Sequence, residues 1–194
     1  MRIPDLEAAS DEELVRAFTR DRDDTALTVL LRRHESRVFS LAYRLLGNRP
    51  DAADATQEVF VTLFRKAGQF QHQAAFTTWL HRLTVNACHD LGRKRARTPV
   101  PTERDEREAG TGADAFTRVD DRLHVQSALA GLPEDQRVPI VLRDVRGLSY
   151  QEIAAATGVP VGTVKSRIAR GRMALATVLR PGEPAPGSAR LRDD

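Results

Sequence analysis

The chain has 194 residues, 41% hydrophobic, 29% charged and 5% aromatic, a balance that suits soluble helix better than sheet, because strands favour β-branched and aromatic side chains. That length accommodates two small helical domains; no apolar run approaches the roughly 18 to 20 residues that cross a bilayer, and the charged stretch Met1 to Glu13 does not read as a secretory leader, so the expected location is the cytoplasm. The single cysteine, Cys88, excludes internal disulfides and Cys-based zinc sites, and the net charge of +3 is unevenly spread, with +4 in residues 92–97 and +3 in residues 119–180.

Ser10 followed by Glu13 forms a capping-box pattern, which predicts a short helix to about Arg20. From Asp24 the apolar positions Leu27, Leu30, Leu31, Val38, Leu41 and Leu45 recur every three or four residues until Gly47 and Pro50, the mark of a long amphipathic helix. Asp51 is the expected N-cap of the next helix, which carries Ala55, Val59, Phe60, Leu63 and Phe64 on its apolar stripe and stops at Gly68. After a polar loop from Gln69 to Ala74, a fourth helix keeps Phe76, Leu80, Leu83, Ala87 and Leu91 on one face and finishes in the basic run 92–97. Residues 98–118 hold Pro99, Pro101, Gly110 and Gly112 among mixed charges with few large apolar groups, the composition of a flexible linker. Helical pattern resumes near Asp120 and breaks at Pro133, which fits the first turn of a helix containing Val138, Val141, Leu142 and Val145. Pro139 lies inside that helix and should cost a backbone hydrogen bond or a local kink. Residues 181–194 are rich in Pro, Gly and charge, the pattern of a disordered tail.

Residues 149–175 read as two helices joined at Gly158, the first opened by a Ser149/Glu152 capping box and the second starting after Pro160. This is a helix-turn-helix, whose second helix can enter a DNA major groove. Ile153, Val159, Val164 and Ile168 suit the core, which leaves Thr163, Lys165, Ser166, Arg167, Arg170 and Arg172 outside, four of them cationic. Thr163, Arg167 and Arg172 suit phosphate, while Lys165, Ser166 and Arg170 suit base edges. The plainer alternative is a helical hairpin whose cations only keep it soluble. The motif does not distinguish a repressor, a response-regulator output domain and a transcription initiation factor.

Trp79, Arg82, Asn86, His89 and Arg93 are spaced +3, +4, +3 and +4, so they share a helix face opposite Phe76 and Leu80. An indole, an amide and several cations suit an unstacked nucleic-acid strand. Spacing alone leaves a second reading equally open, in which Trp79 is half-buried against the loop before it. Asp51, Asp54, Gln57, Glu58 and Val61 form an acidic rim beside exposed apolar groups, either a solvated face or a docking surface for a basic helix. Cys88 and His89 are adjacent and point about 100° apart on a helix, so they cannot act as nucleophile and base. The five histidines form no visible metal cluster and there is no Walker-type phosphate loop, so nothing supports an enzyme, a cofactor or a small-molecule substrate.

In order and spacing, the motifs resemble bacterial sigma factors of the sigma-70 family, extracytoplasmic-function (ECF, group 4) subfamily. DAADATQEVF (Asp51 to Phe60) is similar to region 2.2, FTTWLHRLTVNACHDLGRKRAR (Phe76 to Arg97) to regions 2.3 and 2.4, and residues Leu132 to Arg172 to regions 4.1 and 4.2. The resemblance implies an all-α chain with a sigma-2 domain at 10–97, a linker at 98–118, a sigma-4 domain at 119–180 and a tail at 181–194. It implies binding of core RNA polymerase through the β′ clamp helices by Asp51, Asp54, Gln57, Glu58 and Phe60. It implies melting of the minus-10 element and capture of a flipped base by the segment Gln69 to Thr77 with Phe76, Thr77, Trp79, Arg82 and Asn86. Arg93, Lys94, Arg95 and Arg97 are implied to meet upstream duplex phosphate. Thr163, Lys165, Ser166, Arg167, Arg170 and Arg172 are implied to meet the minus-35 element while the domain rests on the β flap. Control by an anti-sigma factor, often anchored at the membrane, is usual in the family. Two departures stand out: Ala55-Thr56 replaces a bulky apolar pair, with weaker core affinity the expectation, and Pro139 interrupts region 4.1. The rival expectation is a stand-alone duplex-binding regulator that works without polymerase.

Overall fold

The computed structural model describes residues 3–70, 75–97 and 124–179, and every regular element among them is helical. The expected linker at 98–118 and tail at 181–194 lie outside the described residues. The first half comprises α1 (Ile3–Ala8), α2 (Asp11–Asp21), α3 (Asp24–Leu46), α4 (Arg49–Lys66), a 3₁₀ turn (Ala67–Gln69) and α5 (Phe76–Arg97).

Helix α1 is an element that hydrophobic periodicity did not reveal, since six residues are too few to establish a period; Leu6, fully buried, joins it to the core. The Ser10/Glu13 capping box forms as expected, with Glu13 N–H donating to Ser10 Oγ at 3.2 Å and Ser10 N–H to the Glu13 carboxylate at 2.7 Å. Gly47 ends α3 at φ 83°, in the left-handed region that glycine occupies without strain. Helix α4 starts earlier than expected. Its N-cap is Asn48 rather than Asp51, because the Asn48 side chain already accepts from Asp51 N–H at 2.9 Å and Pro50 fits the first turn. Helix α4 ends at Lys66, two residues before the expected stop at Gly68.

The core of this half is made where α3, α4 and α5 meet, from Leu30, Leu41 and Leu45, from Val59 and Leu63, and from Phe76 and Leu80, all fully or almost fully buried. Phe64, expected on the apolar stripe, is instead 54% exposed, with its ring tilted against that of Phe18 at a centroid distance of 5.6 Å.

The second half comprises α6, described over residues 124–130, α7 (Glu134–Ile140), a single π-helical turn (Val141–Val145), α8 (Tyr150–Thr157) and α9 (Val161–Leu179). Pro133, expected in the first turn of the helix, is instead the N-cap residue of α7, one position before it. Pro139 has no N–H to give to the carbonyl one turn back, and α7 passes into the wider π turn two residues later, at Val141. The helix-turn-helix forms with its Ser149/Glu152 capping box and with Gly158 at φ 71°. Gly171 is buried where α9 crosses α7: a Cβ there would lie 2.3 Å from Ile140 Cδ1 and 3.2 Å from Gln136 Cβ.

The two halves pack on each other, with α5 against α8 and α3 against α7 and the π turn. The Arg146 guanidinium donates to Arg37 O at 2.5 Å and Ser40 Oγ at 2.7 Å, and Gln126 Nε2 donates to Tyr43 O at 3.0 Å.

Gly171→Ala should destabilise the fold by roughly 1 kcal/mol, since overpacking costs about 1–3 kcal/mol and improved helix propensity returns up to about 1. Thermal unfolding checks this. Adding Ile140→Val, which removes the clashing methyl, should recover most of the loss.

Candidate nucleic-acid interface

Helix α5 presents three faces. Phe76, Leu80, Leu83 and Ala87 are buried in the first bundle. Thr77, Thr78, His81 and Thr84 face a cleft of about 370 Å³ closed on its other side by Arg146, Gly147, Leu148 and Glu152 of the second half. Arg82 and Asn86 lie exposed on the third face, with Trp79 half-buried above them.

Trp79 leans on the rings of Phe70 and Phe76, centroids 5.4 and 5.9 Å away. It thus packs against the segment before the helix, as the plainer reading had it, while part of the indole stays accessible. Phe76 cannot meet a strand: it is 1% exposed, held between Phe70 and His34, because the apolar face of α5 turns inward at that residue. Its assignment to the minus-10 set is therefore corrected. Thr77 is half-buried in the cleft. Of the segment 69–77, residues 71–74 lie outside the described residues.

At the far end of α5, Lys94 is exposed and Arg93 pairs with Asp90 at 2.5 Å. Arg95 reaches back to the Asp51 carboxylate on α4. The Arg97 side chain is outside the described set. Asp51, expected on the acidic rim, is 3% exposed; Asn48 Nδ2 donates to its Oδ2 at 2.8 Å while Arg95 holds Oδ1. A carboxylate so enclosed offers nothing to a docking protein, because its place in the first turn of α4 turns it toward α5. The other rim residues are accessible: Asp54, Gln57 and Glu58 are exposed, followed one turn later by exposed Val61 and Phe64, with Phe60 half-buried. Ala55 and Thr56 both point inward, and Thr56 Oγ1 donates to Ala52 O at 2.6 Å. The small pair thus lies within the bundle and not on the exposed rim.

On α9, Val164 and Ile168 are buried and Lys165, Ser166 and Arg170 are exposed. Arg167 Nε lies 3.3 Å from Asp135 Oδ2, and Arg172 grips the Asp144 carboxylate with two nitrogens. Thr163 is half-buried. The residues expected to read base edges are therefore those that stand clear, and two of the three expected on phosphate already hold internal carboxylates. Sequence reasoning missed Tyr150, whose ring lies under Arg143 at 4.9 Å and Lys165 at 5.5 Å. It also missed Arg146, which bridges the halves.

Two titratable groups complete the picture. Burial pushes the Cys88 thiol up to about 12, with Glu134 adding to the effect, so it stays protonated and unreactive at neutral pH. Burial and the adjacent Arg146 push His81 down to about 4, and its Nδ1 is buried without a hydrogen-bond partner among the described residues. No group of three or more potential metal ligands converges among the described residues, and no helix there is long and apolar enough to cross a membrane.

Comparison with known proteins places this architecture. A family model described as Sigma-70 region 2 matches residues 30–98, and one described as Sigma-70, region 4 matches residues 122–175. The chain is 44% identical over 151 residues to the ECF RNA polymerase sigma factor SigE of Mycolicibacterium smegmatis, covering 75% of this chain and 58% of that protein. It is 40% identical to the ECF RNA polymerase sigma factor SigM of Mycobacterium tuberculosis, over 88% of this chain and 85% of that one. The solved sigma factor RpoE of Bartonella quintana, in complex with the anti-sigma factor NepR, matches with a TM-score of 0.66 at 27% identity, over 79% of this chain and 96% of its own. The chain belongs to the sigma-70 family and, within it, to the ECF sigma factors.

The His81 environment carries a pH dependence of known sign. Neutral His81 is favoured while the halves pack together, so their packing is at full strength above the ordinary histidine value near 6.5 and weakens as pH falls toward 4. The charged groups around it are Arg146, Arg37 and Glu152, and the His34 ring is a further titratable neighbour. Small-angle scattering should show a larger radius of gyration at pH 5 than at pH 7.5, and His81→Gln should flatten the difference.

Proposed function

We propose that this chain binds core RNA polymerase, carries it to promoters with two recognition elements and helps open the minus-10 DNA, with no catalysis of its own. The observation that supports the reading is the pairing, in one chain, of two DNA-suited surfaces: exposed Arg82 and Asn86 with half-buried Trp79 on α5, and exposed Lys165, Ser166 and Arg170 on α9. The unstacked strand would lie across α5, with the indole offering a stacking face and Asn86 an amide to a base edge. Arg93 and Lys94 would continue onto upstream duplex phosphate, each contact adding salt-dependent affinity. Arg95 serves the fold through Asp51 and joins that contact only by releasing it.

Polymerase docking falls to the rim Asp54, Gln57, Glu58, Phe60, Val61 and Phe64, whose mixture of acid and exposed apolar surface suits a basic helix such as those of the β′ clamp. The sigma-4 half would rest on the β flap. Because Thr77 lines the cleft beneath α8, its part in strand capture requires the halves to separate. An anti-sigma factor that keeps α5 and α9 from DNA is the expected regulator, and the site of action is the cytoplasm.

Run-off transcription with purified core polymerase on a pool of promoter fragments tests the reading. New transcripts that depend on this chain are expected; duplex binding with no binding or redirection of polymerase would replace it with a stand-alone regulator. At the upstream element, Arg170→Ala should cost about 1–3 kcal/mol and relax sequence choice at one position. Arg172→Ala should cost less and act alike on all sequences, because Asp144 already engages that guanidinium. Binding titrations on matched and mismatched sites separate the two.

A further inference from the structure

Helix α5 begins at Phe76, and the residue before it, Ala75, has no side-chain oxygen to satisfy the first amides of the helix. The missing cap comes from far away in the chain. Glu12, in the first turn of α2, accepts the Phe76 N–H with its carboxylate Oε1 at 3.1 Å, bridging 64 residues. A carboxylate at that point also complements the positive end of the helix dipole. Glu12 is itself held in place. Its neighbour Asp11 takes hydrogen bonds from Arg33 Nη1 at 2.6 Å and from the His34 ring at 2.8 Å, tying the start of α2 to α3. The same His34 ring meets the Phe76 ring, with centroids 5.4 Å apart.

We infer that Glu12 is a positioning residue for promoter opening: it fixes the first turn of α5, and with it Trp79. The inference rests on the reading of α5 as the strand-capturing helix. Glu12 does not touch DNA in this account; it acts through the Phe76 amide. Glu12→Gln keeps an oxygen that can accept that amide, whereas Glu12→Ala removes it.

The test measures the rate of open-complex formation by the full chain with core polymerase on a duplex promoter and, on the full chain alone, the emission of Trp79, its sole tryptophan. Glu12→Ala should slow opening about fivefold, the order expected for a lost helix cap, and shift the Trp79 emission, with binding of an isolated upstream element unchanged. Glu12→Gln should restore both rate and emission. Opening at the unaltered rate in Glu12→Ala would overturn the inference, and so would a Glu12→Gln variant as slow as Glu12→Ala. Asn86→Ala, at an exposed position on the same helix, separates the two levels of the argument: slow opening there with a normal Glu12→Ala rate removes only the role of Glu12. Normal opening in both removes the strand-capture reading of α5 as well.

Discussion

Burial of the α5 apolar face against α3 and α4 is the constraint on which the rest depends. Once Phe76, Leu80, Leu83 and Ala87 are committed to the core, helical geometry leaves the remaining side chains no choice of direction. Thr78 and His81 turn toward the second half, and Arg82 and Asn86 turn to solvent. Truncation of a buried residue of the size of Leu80 costs about 2–5 kcal/mol in general, a large share of the stability of a small domain. The surface suited to a nucleic-acid strand is thus held by packing rather than by its own contacts, and its two ends are fastened by acidic side chains from other helices, Glu12 at the start and Asp51 near the end.

Charge is used in three ways along the chain. Some cations are spent inside the fold: Arg33 on Asp11, Arg95 on Asp51, Arg167 on Asp135, Arg172 on Asp144. Others remain on the outside, among them Arg82, Lys94 and Arg170. Arg146 does something different again, donating to a backbone carbonyl and a hydroxyl of α3 across the boundary between the halves. Burial and the nearby Arg37 and Arg44 pull its pKa below the ordinary guanidinium value, so the bridge carries an electrostatic strain that separation of the halves would relieve.

The legible parts of this fold were those written in local patterns. The Ser10/Glu13 and Ser149/Glu152 capping boxes, the Gly47 and Gly158 stops and the period of α3 each depend on residues a few positions apart, and each formed as expected. The errors share another origin. Asp51 and Phe76 looked available because a helical wheel shows which residues share a face and not what lies opposite it; Asp51 meets a cation 44 positions later, and Phe76 sits under His34. The Glu12 cap and the Arg146 bridge were invisible for the same reason, as their partners are 64 and 109 residues away. On α9 the residues expected at base edges, Lys165, Ser166 and Arg170, are all exposed, as the period of the helix predicts, whereas the set expected on phosphate divides: Thr163 and Arg167 are half-buried and Arg172 is exposed but held by Asp144.

The claim at the centre of the account is that the outer face of α5 meets the opened strand, and it is tested most directly by a photo-crosslinking side chain placed at Asn86 in the complex with core polymerase on a promoter of mapped start site. The account predicts crosslinks to the nontemplate strand within the minus-10 element, appearing as the strands separate. Crosslinks confined to upstream duplex, or none while transcription proceeds normally, would contradict it.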